Sequence, residues 1–481
     1  MRFIFGVKAR GYLLALLGFL VMLWNLGLPS LWQDEAATIG AANRPLSSLV
    51  QLVQHIDIVH GTYYAFMHFW GDAFGFTPLA LRLPSAMAVG LSLGLLYALA
   101  LKLGFGSKVA TWSAIVFLAL PRTDMAGSEA RSNALTATLA IALVYAFVWA
   151  IESEASRLRW LAFVGLAALS IYVFMFSVLI LAAFATYLLI KLRNQLLNFL
   201  VSSIIAIGLA SPIFYFGYQE RGQVGWITKK PIWQYLWEAM IGVDYNRNLV
   251  LAAVCLLLAA FAIYKRASLL VLLWATLPST ILIAVSVVAQ PYFVDHYLTF
   301  TTGGTALLIA IGISHLKLPR LAADSKFNLG LQLLALLAVV VLSVSSLAVS
   351  RLPSAKGTQW AAISDAIRAN SSEGDGILLP DAVNAAARAL DLMIVAYAPE
   401  YAGRIDLTLT AKPADTTRLF GKRSREVDAV EPQSNRVLLV TDPAEKDTVF
   451  RKLPSWMITG FRQSKSIAFD SAEIIVFDRI K

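Results

Sequence analysis

A chain of 481 residues that is 58% hydrophobic, with a mean hydropathy of +0.67, excludes a wholly soluble protein and points to a polytopic membrane protein. Its net charge of +10 falls largely in alternate short loops, so it signals membrane topology and contact with anionic lipid rather than nucleic-acid binding. The single cysteine, Cys255, excludes an intrachain disulfide, and no Cys/His cluster has metal-ligand spacing; no cofactor is expected, with a divalent metal left open.

About eleven apolar stretches approach the roughly 20 residues that cross a bilayer. In chain order they are 12–29, 79–101, 108–121, 133–151, 160–173, 175–190, 196–213, 248–264, 267–289, 297–314 and 328–349. The run 160–190 reads either as one oversized helix or as a hairpin turning near Ser170–Ser177. Arg2, Lys8 and Arg10 precede the first stretch. Lys102 with Lys108, Arg157 with Arg159, Lys191 with Arg193, Lys265 with Arg266, and Lys317, Arg320 and Lys326 then recur in alternate loops. That side is expected to be cytoplasmic. A cleaved signal peptide is disfavoured, because no small-residue cleavage site follows the first stretch. The reading is a multi-pass protein of the plasma (inner) membrane, with a cytoplasmic N-terminus and an extracytoplasmic C-terminal region.

The first outer loop, 30–78, carries the densest chemistry. Asp34 and Glu35 stand just past the first apolar stretch, where a carboxylate pair is costly to desolvate and is seldom there for packing. Leu49, Leu52, Val53 and Ile56 fall at i, i+3, i+4 and i+7, with Ser47 or Ser48 as a cap. This predicts a short amphipathic helix, read as lying flat in the membrane interface. Asp57, His60, Tyr63 and Tyr64 follow it. The aromatics alone would suit an interfacial belt, but the acid and the histidine call for another reason.

Further outer loops bring cations. Arg82 lies in Leu81-Arg82-Leu83-Pro84-Ser85, Glu129 and Arg131 in Glu129-Ala130-Arg131-Ser132-Asn133, Lys229 beside Lys230, and His296-Tyr297 before the tenth stretch. Carboxylates suit general-base work, whereas Arg, Lys and His suit a phosphate. The pair Lys229-Lys230, taken alone, reads as a solvated loop.

From Arg351 onward charge rises and long apolar runs stop. Residues 377–379, 436–440 and 472–477 read as strands, and 359–369 and 382–394 as helices. The chain thus divides into a membrane domain, 1–349, and a small α/β domain, 350–481. Asp381 and Asp442 follow apparent strand ends and read as turn residues.

The acid pair, the first-loop helix, the Asp57-x-x-His60-Gly61-x-Tyr63-Tyr64 stretch, Leu-Arg-Leu-Pro-Ser and Glu-Ala-Arg-Ser-Asn-Ala-Leu together resemble the GT-C membrane glycosyltransferases over residues 10–315. More narrowly they are similar to glycosyltransferase family 39, the protein O-mannosyltransferase and aminoarabinose-transferase branch, in its bacterial, actinobacterial form. The resemblance implies a GT-C-like fold, a polyprenyl-phosphate sugar donor, inversion at the anomeric carbon and work on the extracytoplasmic face. It matches Asp34 to the catalytic acid, Glu35 to its partner, and Arg131 to a basic residue near the donor phosphate. Relatives often read Ala-Arg-Pro-Tyr where this chain has Ala130-Arg131-Ser132-Asn133, and Arg-Tyr where it has His296-Tyr297.

The expected site therefore has Asp34, Glu35 and Asp57 as catalytic residues. Arg131, Arg82, Lys229, His296 and Tyr297 are expected at the donor phosphate, and His60, Tyr63, Tyr64 and Glu129 at the acceptor or the sugar. The expected reaction moves a sugar, mannose as first guess, to a hydroxyl of an envelope glycan, glycolipid or protein. The alternative is a transporter or flippase of envelope glycolipids. That class places ionisable groups within spans near the midplane, whereas here they gather at the outer ends.

Overall fold

Backbone polar groups find no water inside a bilayer, so a chain this apolar must satisfy them within helices. The computed structural model describes residues 2–152, 156–317, 325–379, 385–419, 421–423, 433–451 and 453–480. Helices α1 (Arg2–Leu23), α2 (Gln33–Ala42), α3 (Leu46–Val53), α4 (Gly61–Phe74) and α5 (Pro78–Lys102) open the chain. They are followed by α6 (Ser107–Ala119), α7 (Pro121–Gly127), α8 (Asn133–Ile151), α9 (Arg157–Val173) and α10 (Leu179–Lys191). Then come α11 (Leu196–Leu209), α12 (Ser211–Gln219), α13 (Ile232–Ile241), α14 (Leu249–Tyr264), α15 (Leu269–Val288), α16 (Thr302–His315) and α17 (Ser325–Val349).

A helix lies in each predicted apolar stretch, but among the described residues five helices are long and apolar enough to cross a membrane alone. A sixth span arises if α11 and α12 count as one, bent by 51° at a break where Pro212 lacks an N–H and crowds the preceding turn. The run 160–190 is two helices, interrupted by extended Phe174 and a 3₁₀ turn, Met175–Val178. The first helix ends at Leu23, earlier than its predicted limit of 29, and Asn25 sits in the following turn at φ 50°.

The chain clusters into two units. The first comprises Met1–Leu26, Asp57–Tyr63 and Arg82–Ser350. Small residues let its helices approach: a Cβ on Gly90 of α5 would fall 2.7 Å from the Ala15 carbonyl oxygen of α1. This is the close contact that small residues four apart, here Gly90 and Gly94, permit in membranes. Ser92 and Thr138 hydroxyls, 2.8 Å apart, tie α5 to α8. Phe147 stacks on Phe184 at 4.0 Å, and Phe163 and Phe199 close a cluster joining α8 to α9, α10 and α11.

The second unit comprises Gly27–Ile56, Tyr64–Leu81 and Arg351–Lys481. Its strands are β1 (Gly376–Leu378), β2 (Ile405–Asp406), β3 (Leu409–Ala411), β4 (Lys422–Arg423), β5 (Arg436–Thr441), β6 (Phe461–Ala468) and β7 (Glu473–Arg479). The main sheet runs β2-β1-β5-β7-β6, parallel across its first three strands and antiparallel thereafter, with Val437 opposite Phe477. Helices α18 (Trp360–Asn370) and α19 (Ala385–Ala396) occupy the two predicted helical stretches, while Asp381 and the predicted helix start at 382–384 lie outside the described residues. Arg423 is buried between Asp391 and Asp406, 2.7 Å from each. Burial raises the Asp391 carboxyl, against the lowering charge of Arg423.

Asp34 and Glu35, just past the first stretch, form the first turn of a separate helix, α2, with Glu35 fully buried and Asp34 half-buried. One first-loop expectation needs correction. The loop helix α3 does not offer its stripe to the membrane. Leu49 and Leu52 are buried within this unit, and the Ser48 hydroxyl, rather than capping the helix, donates to the Ala414 carbonyl at 2.6 Å. Arg44 anchors the same stretch, donating to the carbonyls of Gly40, Thr416 and Arg418.

Candidate functional site

In the first unit the stretch before α4 folds into a 3₁₀ turn, Ile58–His60. Asp57 enters it in the left-handed region at φ 60°, a conformation Asp tolerates better than most side chains. The Asp57 N–H donates to Gln223 Oε1 at 3.3 Å and the Ile58 N–H to Glu220 Oε2 at 2.9 Å. Side chains of the loop after α12 thereby satisfy the open end of the turn.

The turn aims His60 at Arg131, whose Nη2 donates to His60 Nε2 at 3.2 Å. Arg131 stands just before α8, and its backbone is fixed by Ser85. That hydroxyl donates to the Glu129 carbonyl at 2.6 Å and reaches the Arg131 carbonyl at 3.5 Å. Two motifs far apart in sequence, Leu-Arg-Leu-Pro-Ser and Glu-Ala-Arg-Ser, thus meet through one hydroxyl. Burial, then the charge of Arg131, then His296 push the His60 pKa well below its usual value. The ring is therefore neutral at physiological pH, accepting at Nε2 and keeping its proton on Nδ1.

His60 lines a cavity of ≈ 270 Å³ whose walls are mostly apolar, with Phe174, Phe176, Tyr292 and Tyr297 among them and Arg221 also on its lining. Tyr297 stacks on Phe176 at 5.7 Å and meets Phe174 edge-on at the same distance. The neighbouring His296 lies against Tyr297, with its Nδ1 3.3 Å from Asp295. Arg122, buried, donates to the Gly242 and Val243 carbonyls and sits 3.6 Å from Asp295, which also lies 4.0 Å from Arg247. Such a site can hold an apolar chain against aromatic walls, with His60 and Arg221 on the same lining.

The remaining expected residues are distributed as follows. Arg82 is fully buried and donates to the Leu26 carbonyl at 3.0 Å. Glu129 and Tyr63 are buried in the first unit, while Lys229 is exposed and does not line the cavity. Asp34, Glu35 and the buried Tyr64 belong to the second unit. Among the described residues, no three His, Cys, Asp or Glu side chains are placed to hold a metal ion.

Sequence reasoning did not single out Phe174, Phe176, Glu220, Arg221 or Arg122. Phe174 and Phe176 sit where an apolar run breaks, which the sequence showed only as an ambiguous length. Arg122, in Pro121-Arg122-Thr123-Asp124, follows the third apolar stretch, and a charge at that outer end was a readable signal.

Residues 63–216 match the family model described as dolichyl-phosphate-mannose-protein mannosyltransferase. The fold is similar to that of ArnT from Cupriavidus metallidurans. The TM-score is 0.63 for the form bound to undecaprenyl phosphate and 0.60 for the apo form, over 97% of both chains at 14% identity. It is also similar to the Archaeoglobus fulgidus oligosaccharyltransferase tethered to an acceptor peptide, with a TM-score of 0.51 at 12% identity, over 92% of this chain and 70% of that one. No curated protein matches the sequence.

Proposed function

We propose that the chain is a membrane glycosyltransferase of the GT-C type that moves a sugar from a polyprenyl-phosphate donor to an acceptor hydroxyl on the extracytoplasmic face, a reading supported by the family match at 63–216 and by the ArnT-like fold. The observation that carries this reading is the aromatic-walled cavity with His60, held by Arg131, on its lining. An apolar chain suits those walls, and a cation on the lining suits its phosphate.

In the proposed step the bond between the anomeric carbon and the phosphate oxygen breaks as the acceptor oxygen attacks from the opposite side, inverting the carbon. Asp34 takes the acceptor proton, with Glu35 as its partner and Asp57 orienting the acceptor. The leaving polyprenyl phosphate gains negative charge, which Arg131 stabilises. Tyr297 lies on the cavity lining, and Arg82, Lys229 and His296 are the further donor-phosphate residues of this reading. His60, Tyr63, Tyr64 and Glu129 serve the acceptor or the sugar. Mannose is the first candidate for the sugar; the acceptor is a hydroxyl of a protein, an envelope glycan or a glycolipid. The protein crosses the plasma membrane about eleven times, with its N-terminus in the cytoplasm.

Mass spectrometry of polyprenyl-phosphate sugars in cells lacking the protein tests the reading. One such species is expected to accumulate, and an unchanged profile counts against it. A flippase would also cause accumulation. Transfer by the purified chain in detergent, where no second leaflet exists, separates the two: polyprenyl phosphate is released from the donor only when acceptor is present.

A further inference from the structure

Beside the aromatic cavity of the first unit lies a second one of ≈ 190 Å³, with a different character. The same two loops build both. Arg221, Gln223 and Val224 line the first cavity, and Trp226, Thr228 and Lys230, a few residues on, line the second. In the other loop Tyr292 and Tyr297 face the first, and Phe293, Val294 and Asp295 the second. Glu238 of α13 and Arg247 complete the polar lining.

The charges on this lining balance. Lys230 Nζ lies 2.8 Å from both Glu238 oxygens, and Asp295 lies 4.0 Å from Arg247 with Arg122 behind it at 3.6 Å. Two cations, Lys230 and Arg247, thus accompany two carboxylates, Glu238 and Asp295, on the lining. Each carboxylate is thus already engaged by a cation, which leaves a free cation little net attraction. The lining does offer donors and acceptors in alternation, which suits hydroxyl groups, since each both donates and accepts. Trp226, 63% exposed, adds an uncovered aromatic face of the kind that accepts the C–H side of a sugar ring. At ≈ 190 Å³ this cavity is smaller than the aromatic one and suits a single ring. The rim is held in an uncommon backbone conformation: Asn246 and Arg247 both have positive φ, 46° and 61°, with the Arg247 N–H bonded to the Ile241 carbonyl.

We propose that this second cavity is a saccharide subsite, taking one neutral sugar ring stacked on Trp226 and hydrogen-bonded by the Lys230–Glu238 and Arg247–Asp295 pairs. It rests on the transferase reading only for the origin of the ring, as the sugar of the donor or a sugar of the acceptor. An apolar cavity and a hydroxyl-binding one, side by side on shared loops, form a site for an amphipathic glycolipid.

The test uses the full-length protein in nanodiscs, which avoids sugar-headed detergents. The probes are the methyl glycosides of mannose, glucose, galactose and arabinose, followed by saturation-transfer NMR. At least one is expected to bind the wild type without any lipid donor. Trp226→Ala and Glu238→Gln should each weaken that binding about tenfold or more, while Trp226→Phe, which keeps a ring, largely preserves it. Binding of bare undecaprenyl phosphate should stay within about twofold in all three variants, which also shows that they fold. If no glycoside binds, or if binding survives both Trp226→Ala and Glu238→Gln, the proposal is overturned. Should Trp226→Ala weaken a polyprenyl-phosphate sugar but not the bare phosphate, the ring is the donor's. Should donor affinity hold and the acceptor KM rise, the ring is the acceptor's. Glycoside binding lost in the variants of a protein that shows no transfer would leave this site standing and remove the transferase reading. Transfer with glycoside binding insensitive to the variants would do the reverse.

Discussion

Arg131 has its backbone fixed by Ser85 and its guanidinium bonded to the neutral ring of His60. Removing its side chain by Arg131→Ala should weaken polyprenyl-phosphate binding, measured by titration in nanodiscs, and Arg131→Lys should recover part of it, because lysine offers charge without the planar fork. The same pair implies a pH effect. Burial, Arg131 and His296 lower the His60 pKa, so the folded state favours the neutral ring. The stability this gives is fully present above the unfolded value of about 6.5, and it is lost as pH falls from there through the lowered folded value. The melting temperature should be level above neutrality and decline below that point, and His60→Gln should flatten the decline. An equal decline in the variant would assign the slope to other groups. Asp34, in the first turn of α2, is the proposed base. Asp34→Asn keeps the shape and removes the proton acceptor, so turnover should drop by about 10²–10⁴, the range for loss of a general base. Donor binding should persist. Near-normal turnover on a confirmed substrate would pass the role to Asp57.

At the scale of elements, the helices α3 and α13 show what a sequence pattern reveals and what it leaves open. Both carry apolar residues at i, i+3, i+4 and i+7: Leu49, Leu52, Val53 and Ile56 in and just after the first, Trp233, Leu236, Trp237 and Met240 in the second. Periodicity reports that a stripe exists, not what it meets. The stripe of α3 is buried against protein at Leu49 and Leu52, whereas all four residues of the α13 stripe are exposed. Ten residues are too few to span, and tryptophan favours the membrane–water boundary, so α13 is expected to lie in the interface with this face in lipid. Lipids brominated near the headgroup should quench wild-type tryptophan fluorescence more than that of Trp233→Phe combined with Trp237→Phe; equal quenching would place α13 elsewhere. The same logic explains the strands. β5 and β7 are apolar runs buried on both faces and were legible. β6, at the sheet edge, exposes five successive residues from Arg462 to Ser466 and shows no alternation to read. The contact between Ser85 and the Glu129–Arg131 backbone left no trace in periodicity, although each motif stood out separately.

For the whole molecule, the unit division constrains topology. Residues 27–56 and 64–81 cluster with 351–481, so these segments are expected to share one side of the membrane. The chain between 81 and 351 must then cross an even number of times. The ten stretches predicted there after the first are even, as are six spans with the bent α11–α12 pair counted once; five would strand the C-terminal region on the opposite side. In the proposed topology the loop cations mark the cytoplasmic side. Cysteines introduced at Ser47, exposed on α3, and at Ser434, beside β5, should therefore both react with a membrane-impermeant maleimide in intact cells. A cysteine at the exposed Arg266 should react only after lysis. The native Cys255 is buried and contributes little background. Unequal labelling of positions 47 and 434 would break the shared-side argument. Protection of both, with Arg266→Cys labelled in intact cells, would invert the orientation and place the proposed transfer chemistry on the cytoplasmic face.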